Sequence, residues 1–115
     1  MATERAERLE FLQGTLEMLV LRTLRMGELH GYGIAQSIRQ ASNKALLIEA
    51  GSLYPALQRL ELQSWIKAEW KTSDTGRRAR FYKLTPAGRR KLSASISRWE
   101  EFVTAIGLVL RSREG

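Results

Sequence analysis

Arg77, Arg78 and Arg80 crowd one side of the turn Ser73-Asp74-Thr75-Gly76. Guanidinium groups beside a turn reach phosphate oxygens, or enter a narrow minor groove where the potential is most negative. A second set of polar groups precedes them on a helix-like segment: Ser52, Tyr54, Gln58 and Arg59. Ser and Tyr hydroxyls bond phosphate, Gln pairs bidentately with adenine, and Arg pairs with guanine or phosphate. Either set alone is weak, because any amphipathic helix or solvated hairpin supplies it. Their succession in one short stretch points to a nucleic acid.

Other chemistry has little support. There is no cysteine, so disulfides, thiolate zinc sites and thiol nucleophiles are excluded. The single histidine, His30, has no neighbouring carboxylate in sequence and reads as a helix-capping or phosphate-contact group rather than a catalytic base. No glycine-rich phosphate loop is present. Neither an enzyme nor a metal or cofactor protein is expected. No apolar run approaches a bilayer span, and the N-terminus lacks the apolar core of a signal peptide, so a cytoplasmic protein without membrane contact is expected.

The formal net charge is +7, and its location is informative. Between Ile66 and Lys91 nine basic residues stand against two acids, so this window carries the whole excess. A localised excess makes a positive face that favours a polyanionic partner.

The elements that position these groups follow from periodicity. Gly14 and Thr15 open a core helix carrying Leu16, Leu19, Val20, Leu21 and Leu24, with Thr15 as its N-cap, and Gly27 stops it. Residues 3–12 suggest a weaker helical arm through Leu9 and Leu12. His30-Gly31-Tyr32-Gly33 leads into a second helix ending near residues 41–43, and Leu46–Ile48 is long enough for a small strand. Gly51 then breaks the chain, Ser52 caps a third helix, and Pro55 falls in its first turn. Leu53, Leu57 and Leu60 recur at helical spacing and face inward, leaving Ser52, Gln58 and Arg59 outward. Trp65–Lys71 and Arg80–Leu84 make a hairpin, with Gly76 suited to positive φ. Its aromatics, Trp65, Trp70, Phe81 and Tyr82, fit core or cross-strand packing better than base stacking.

Thr85-Pro86 starts a last helix that nothing interrupts before Gly107. Leu92, Ile96, Trp99, Val103, Ile106 and Leu110 are spaced as an a/d seam, which a second copy would cover. Trp99 is unusual in such a seam. It either fills it or lines a pocket for flat aromatic ligands.

The chain is therefore expected to be mainly α with a small β-hairpin (α+β): a winged helix-turn-helix over residues 1–85 with an N-terminal arm, then a dimerisation helix over 86–115. Its expected role is that of a sequence-specific DNA-binding regulator. The alternative is a winged-helix module that binds protein and uses its basic face for solubility.

Three segments, LHGYGIA (Leu29–Ala35), GSLYPALQRLE (Gly51–Glu61) and GRRARFYKLTPAGRRKL (Gly76–Leu92), resemble the PadR family of bacterial transcriptional regulators. The resemblance runs from about Leu16 to Leu110. It implies a homodimer made through the C-terminal helix, a palindromic double-stranded DNA operator and usually repression. It also implies that Tyr32, Ser52, Tyr54 and the hairpin arginines lie on the DNA side. The single short C-terminal helix looks like the smaller subgroup, some of whose members bind planar aromatic effectors between tryptophans at the dimer interface. Trp99 occupies a similar position.

Overall fold

The computed structural model describes residues 14–112. The expected arm over residues 3–12 lies outside them. Helix α1 covers residues 14–24 of the described chain. It is followed by β1 (Leu29–His30), α2 (Gly31–Ala41), α3 (Ala50–Leu62), β2 (Ile66–Thr72), β3 (Arg78–Leu84) and α4 (Pro86–Leu110). The strands form one antiparallel sheet in the order β1-β3-β2, so β2 is an edge. This is an α+β winged helix-turn-helix.

The core is wholly aliphatic apart from Tyr82. Leu16, Val20, Leu21 and Leu24 of α1 meet Ile34 and Ile38 of α2, Leu53, Leu57 and Leu60 of α3, and Ile66, Tyr82 and Leu84 of the sheet. Burial pushes the Tyr82 phenol above its ordinary pKa. Even-numbered residues of β2 and β3 share the sheet face that covers this core, because Ile66 opposes Leu84 and Ala68 opposes Tyr82. The same face continues outward through Trp70 opposite Arg80 and Thr72 opposite Arg78, where no core remains to cover it. Of the hairpin aromatics Tyr82 is buried and Phe81 and Trp65 are half-buried, but Trp70 is 58% exposed, with the Arg78 guanidinium 5.8 Å from its ring centroid.

Several local expectations change. Residues 14 and 15 are already helical, so Thr15 lies inside α1 rather than capping it. The third strand is Leu29–His30, paired with Phe81 and Tyr82, whereas Leu46–Ile48 is irregular. Ile48 packs against the core while Leu47 is exposed. Helix α3 begins at Ala50, with Glu49 as an N-cap that makes no side-chain bond, so Ser52 is not the cap. Pro55 consequently sits in the second turn, where it leaves the Gly51 carbonyl without its i+4 donor. His30 does cap α2, its Nδ1 accepting from the Gly33 N–H at 2.9 Å.

The junction between the hairpin and α4 is tightly fastened. Thr85 caps α4: its Oγ1 accepts from the Gly88 N–H at 3.0 Å and donates to the Ser64 carbonyl at 2.7 Å. The Thr85 N–H donates to the Trp65 carbonyl at 3.1 Å. Gly88 is buried directly against that carbonyl: a Cβ there would lie 2.0 Å from the Trp65 oxygen and 2.8 Å from Leu84 Cδ1. Leu92, one turn on, is 1% exposed and belongs to the core, and Ile96 packs against it. Past that point α4 leaves the domain. Phe102, Val103 and Ile106 are 40–47% exposed, and Leu108, Val109 and Leu110 are 65–79% exposed.

Candidate nucleic-acid interface

The polar face of α3 is open. Ser52, Tyr54, Pro55 and Gln58 are exposed, on the side opposite buried Leu53, Leu57 and Leu60. Tyr54 lies across the start of α2, with its hydroxyl 2.8 Å from where a Cβ on Gly31 would be. A side chain at position 31 would therefore push Tyr54 aside. Tyr32 stands nearby, its hydroxyl accepting from Gln36 Nε2 at 2.6 Å. Tyr32 and Tyr54 line one groove of about 270 Å³ between α2 and α3. Two residues 22 positions apart in the chain thus meet at one place on the surface.

The hairpin tip is closed by the Ser73 N–H donating to the Arg77 carbonyl at 2.7 Å and the Gly76 N–H to the Ser73 carbonyl at 2.9 Å. Gly76 takes φ +81°, which explains the glycine. Arg77 and Arg78 are exposed beyond this turn. Arg80 is held differently. Its Nη2 bonds Glu61 Oε2 of α3 at 2.6 Å, joining the hairpin to the end of the helix. On the opposite sheet face Lys71 pairs with Glu28 before β1, and that bond holds the Lys71 ammonium above its ordinary pKa.

Arg59, expected on the outer face with Gln58, is turned to the side. Its Nε donates to Glu17 Oε1 of α1 at 2.6 Å, with both side chains partly covered. Arg59 and Arg80 are thus engaged by carboxylates of the domain, whereas among the described residues no carboxylate is paired with Gln58, Arg77 or Arg78. The three carboxylates, Glu17, Glu28 and Glu61, were not anticipated. Two of them are 42 and 19 positions from their partners, beyond any helical or strand period.

The expected dimer seam divides at its middle. Leu92 is buried in the chain's own core and so does not belong to an exposed seam, and Ile96, partly buried, packs against that core. The physical reason is Gly88, which lets the first turn of α4 close against the Trp65 carbonyl and Leu84. Val103, Ile106 and Leu110 are on the exposed part, together with Phe102 and Val109. Trp99 is half-buried at the boundary, its ring centroid 6.3 Å from that of Phe102. It lines a groove of about 410 Å³ between α1 and α4, whose walls include Glu17, Met18, Leu60, Trp65 and Phe102. Trp65, read from sequence as a hairpin aromatic, is part of this groove, with Lys91 Nζ 4.8 Å from its ring centroid. Among the described residues no cluster of side chains suits a metal ion, and no helix is long and apolar enough to cross a membrane.

The architecture, three helices followed by a basic hairpin and a long projecting helix, is that of winged-helix regulators. Comparison with known proteins narrows it. The model for the transcriptional regulator PadR-like family matches residues 20–94, so the chain belongs to that family of transcriptional regulators. It is 31% identical over 97 residues to the transcriptional regulator Rv3488 of Mycobacterium tuberculosis, covering 84% of this chain and 87% of that protein. The solved PadR family regulator from Eggerthella lenta is 30% identical, with a TM-score of 0.78 over 97% of this chain and 96% of that one. A solved transcriptional regulator from Clostridium thermocellum is 28% identical, with a TM-score of 0.78 over 85% of this chain and 95% of that one.

Proposed function

We propose that the protein is a homodimeric repressor that binds a palindromic double-stranded DNA operator and is released by a planar aromatic ligand. The observation that carries the DNA reading is the succession of two exposed polar surfaces, joined through the Arg80–Glu61 ion pair. One is the outer face of α3 with Ser52, Tyr54 and Gln58; the other is the hairpin tip with Arg77 and Arg78. In this reading α3 enters the major groove with Gln58 at a base edge, and Tyr32, Ser52 and Tyr54 meet the phosphates beside it. The tip arginines track the adjoining backbone. Arg59 and Arg80 set the position of α3 and of the hairpin through Glu17 and Glu61.

Arg77→Ala is expected to weaken binding to every DNA sequence alike and to reduce the slope of log affinity against log salt by about one unit. Gln58→Ala is expected to cost roughly 1–3 kcal/mol on the preferred site and to relax one operator position. Titrations at several salt concentrations, on a selected site and on random DNA, separate the two. An Arg77→Ala protein with unchanged affinity and slope removes the hairpin from the interface. A protein with no preferred sequence and no steep salt dependence favours the protein-interaction module instead.

The ligand reading rests on the groove between α1 and α4, which is walled by Trp65, Trp99 and Phe102. Trp99→Ala is expected to abolish both binding of planar aromatic compounds and ligand-driven release of DNA. Calorimetry is the better readout, because Trp65 and Trp70 also report in fluorescence. If both responses survive the substitution, Trp99 is a packing residue.

A further inference from the structure

Trp70 lies past the edge of the core, 58% exposed, on the sheet face that the core covers further in. Arg80 is directly across the sheet from it, and Arg78 is diagonal to it, toward the hairpin tip. Arg80 is pinned by Glu61 Oε2 at 2.6 Å. The guanidinium carbon of Arg78 is 5.8 Å from the centroid of the Trp70 ring. We propose that Trp70 is a positioning residue for DNA binding: its indole face holds the Arg78 guanidinium ready for a backbone phosphate, in a fixed relation to α3. The inference rests on the reading of the hairpin as part of a DNA interface. It also separates two arginines, Arg77 and Arg78, that are adjacent in sequence and look equivalent there.

Diagonal partners on one face of an antiparallel pair are roughly 7–8 Å apart, within reach of an indole and an arginine. A cation within about 6 Å of an indole centroid is attracted by the negative face of the ring. The attraction leaves the binding groups of the guanidinium available. Stacking uses its flat face, whereas donation to phosphate uses the N–H groups in its plane. Glu61 neutralises Arg80, so the charge of Arg78 is not repelled by an unpaired neighbour on the same face. Arg77 is placed otherwise. It precedes β3, and its carbonyl closes the turn by accepting from Ser73. Among the described residues no ring or carboxylate engages its guanidinium.

An unrestrained arginine loses rotamer freedom when it meets a phosphate. One already resting on a ring has less to lose, so its contact is stronger for the same charge. The run Glu61, Arg80, Trp70, Arg78 extends from the last turn of α3 to the hairpin tip. The phosphate-binding group is thereby set relative to the helix that enters the major groove, and not merely carried on a tip that swings.

The test measures binding of the full-length protein to a labelled duplex of the selected site and to one of random sequence, at several salt concentrations. Trp70→Leu keeps apolar bulk and removes the ring. It is expected to weaken binding about two- to fivefold on both duplexes. It should lower the salt slope by no more than the roughly one unit that Arg78→Ala removes, because the charge is still present. Trp70→Phe, which keeps a ring face, should stay within about twofold of wild type. In the Arg78→Ala background Trp70→Leu should change nothing further, as required of a residue that acts through Arg78. A loss that persists in that background means that Trp70 meets the DNA itself or props up the hairpin, and overturns the proposal. So does a salt slope that falls by more than one unit, since the hairpin has then lost Arg77 as well. Wild-type affinity in Trp70→Leu overturns the positioning role and leaves the DNA reading standing. A wild-type protein that binds neither duplex in a salt-dependent way removes the DNA reading and the positioning role together.

Discussion

Val103→Asp combined with Ile106→Asp is expected to convert the protein from dimer to monomer at micromolar concentration while each domain stays folded. Both residues are on the projecting half of α4, 47% and 40% exposed, with Phe102, Val109 and Leu110 around them. An apolar strip of this length on a 25-residue helix, roughly 37 Å at 1.5 Å per residue, cannot be covered by a domain that anchors only its first turns. In the dimer reading a second α4 covers it. Each unpaired carboxylate closed into that interface costs several kcal/mol, and symmetry doubles the count. Because the two positions touch nothing in the chain's own core, unfolding is not the expected result. Ile96 would be the wrong choice, since it packs against that core. Sedimentation of wild type and variant decides the matter, with circular dichroism to verify folding. A wild-type chain that already sediments as a monomer ends the dimer reading.

Gly88→Ala is expected to destabilise the fold by about 3 kcal/mol or more, at the upper end of overpacking effects. The new methyl would need the space 2.0 Å from the Trp65 carbonyl oxygen. That oxygen cannot retreat freely, because it accepts the Thr85 N–H at 3.1 Å and belongs to the residue just before β2. Either α4 lifts from the sheet, pulling Leu92 from the core, or the hairpin shifts with it. For a urea slope of ~1–3 kcal/mol/M the unfolding midpoint should fall by roughly 1–3 M. Wild type and variant must be compared at one protein concentration, since the stability of a dimer would depend on it. An unchanged midpoint would mean that α4 and the hairpin are not packed as tightly as this contact requires.

The sequence disclosed what depends on near neighbours. Leu53, Leu57 and Leu60 announced the buried face of α3 by spacing alone, and Thr85-Pro86 announced the start of α4 through capping chemistry. Gly76 marked the hairpin turn because few other residues accept its backbone conformation. What stayed hidden depends on partners far along the chain. A strand of two residues, Leu29–His30, has no pattern of its own and exists only through its pairing with Phe81 and Tyr82. The apolar run Leu46–Ile48 looked more like a strand, but no edge lies beside it and only Ile48 reaches the core. Ser52 after Gly51 had the form of a cap. The helix nevertheless begins earlier, and Pro55 is tolerated one turn further in than expected. Leu92 and Ile96 obeyed the heptad spacing yet pack within their own domain, because the same spacing serves any apolar partner. Most consequentially, Arg59 and Arg80 looked as available as Arg77. Their engagement by Glu17 and Glu61 is a matter of tertiary placement that no local rule expresses.

The strand order leaves β2 with one unpaired side, a row of backbone donors and acceptors able to recruit any extended chain. A protein that gathers on a polyanion raises its own local concentration, and with it the risk that such borders zip together. Here the border is guarded by its side chains. Lys67, Glu69 and Lys71 alternate along one face of β2, placing charge at every second position where a neighbouring strand would have to lie. Alternating signs make the guard indifferent to the net charge of the intruder. The border beside the basic hairpin thus carries charge rather than an apolar row, which disfavours its zipping to another copy.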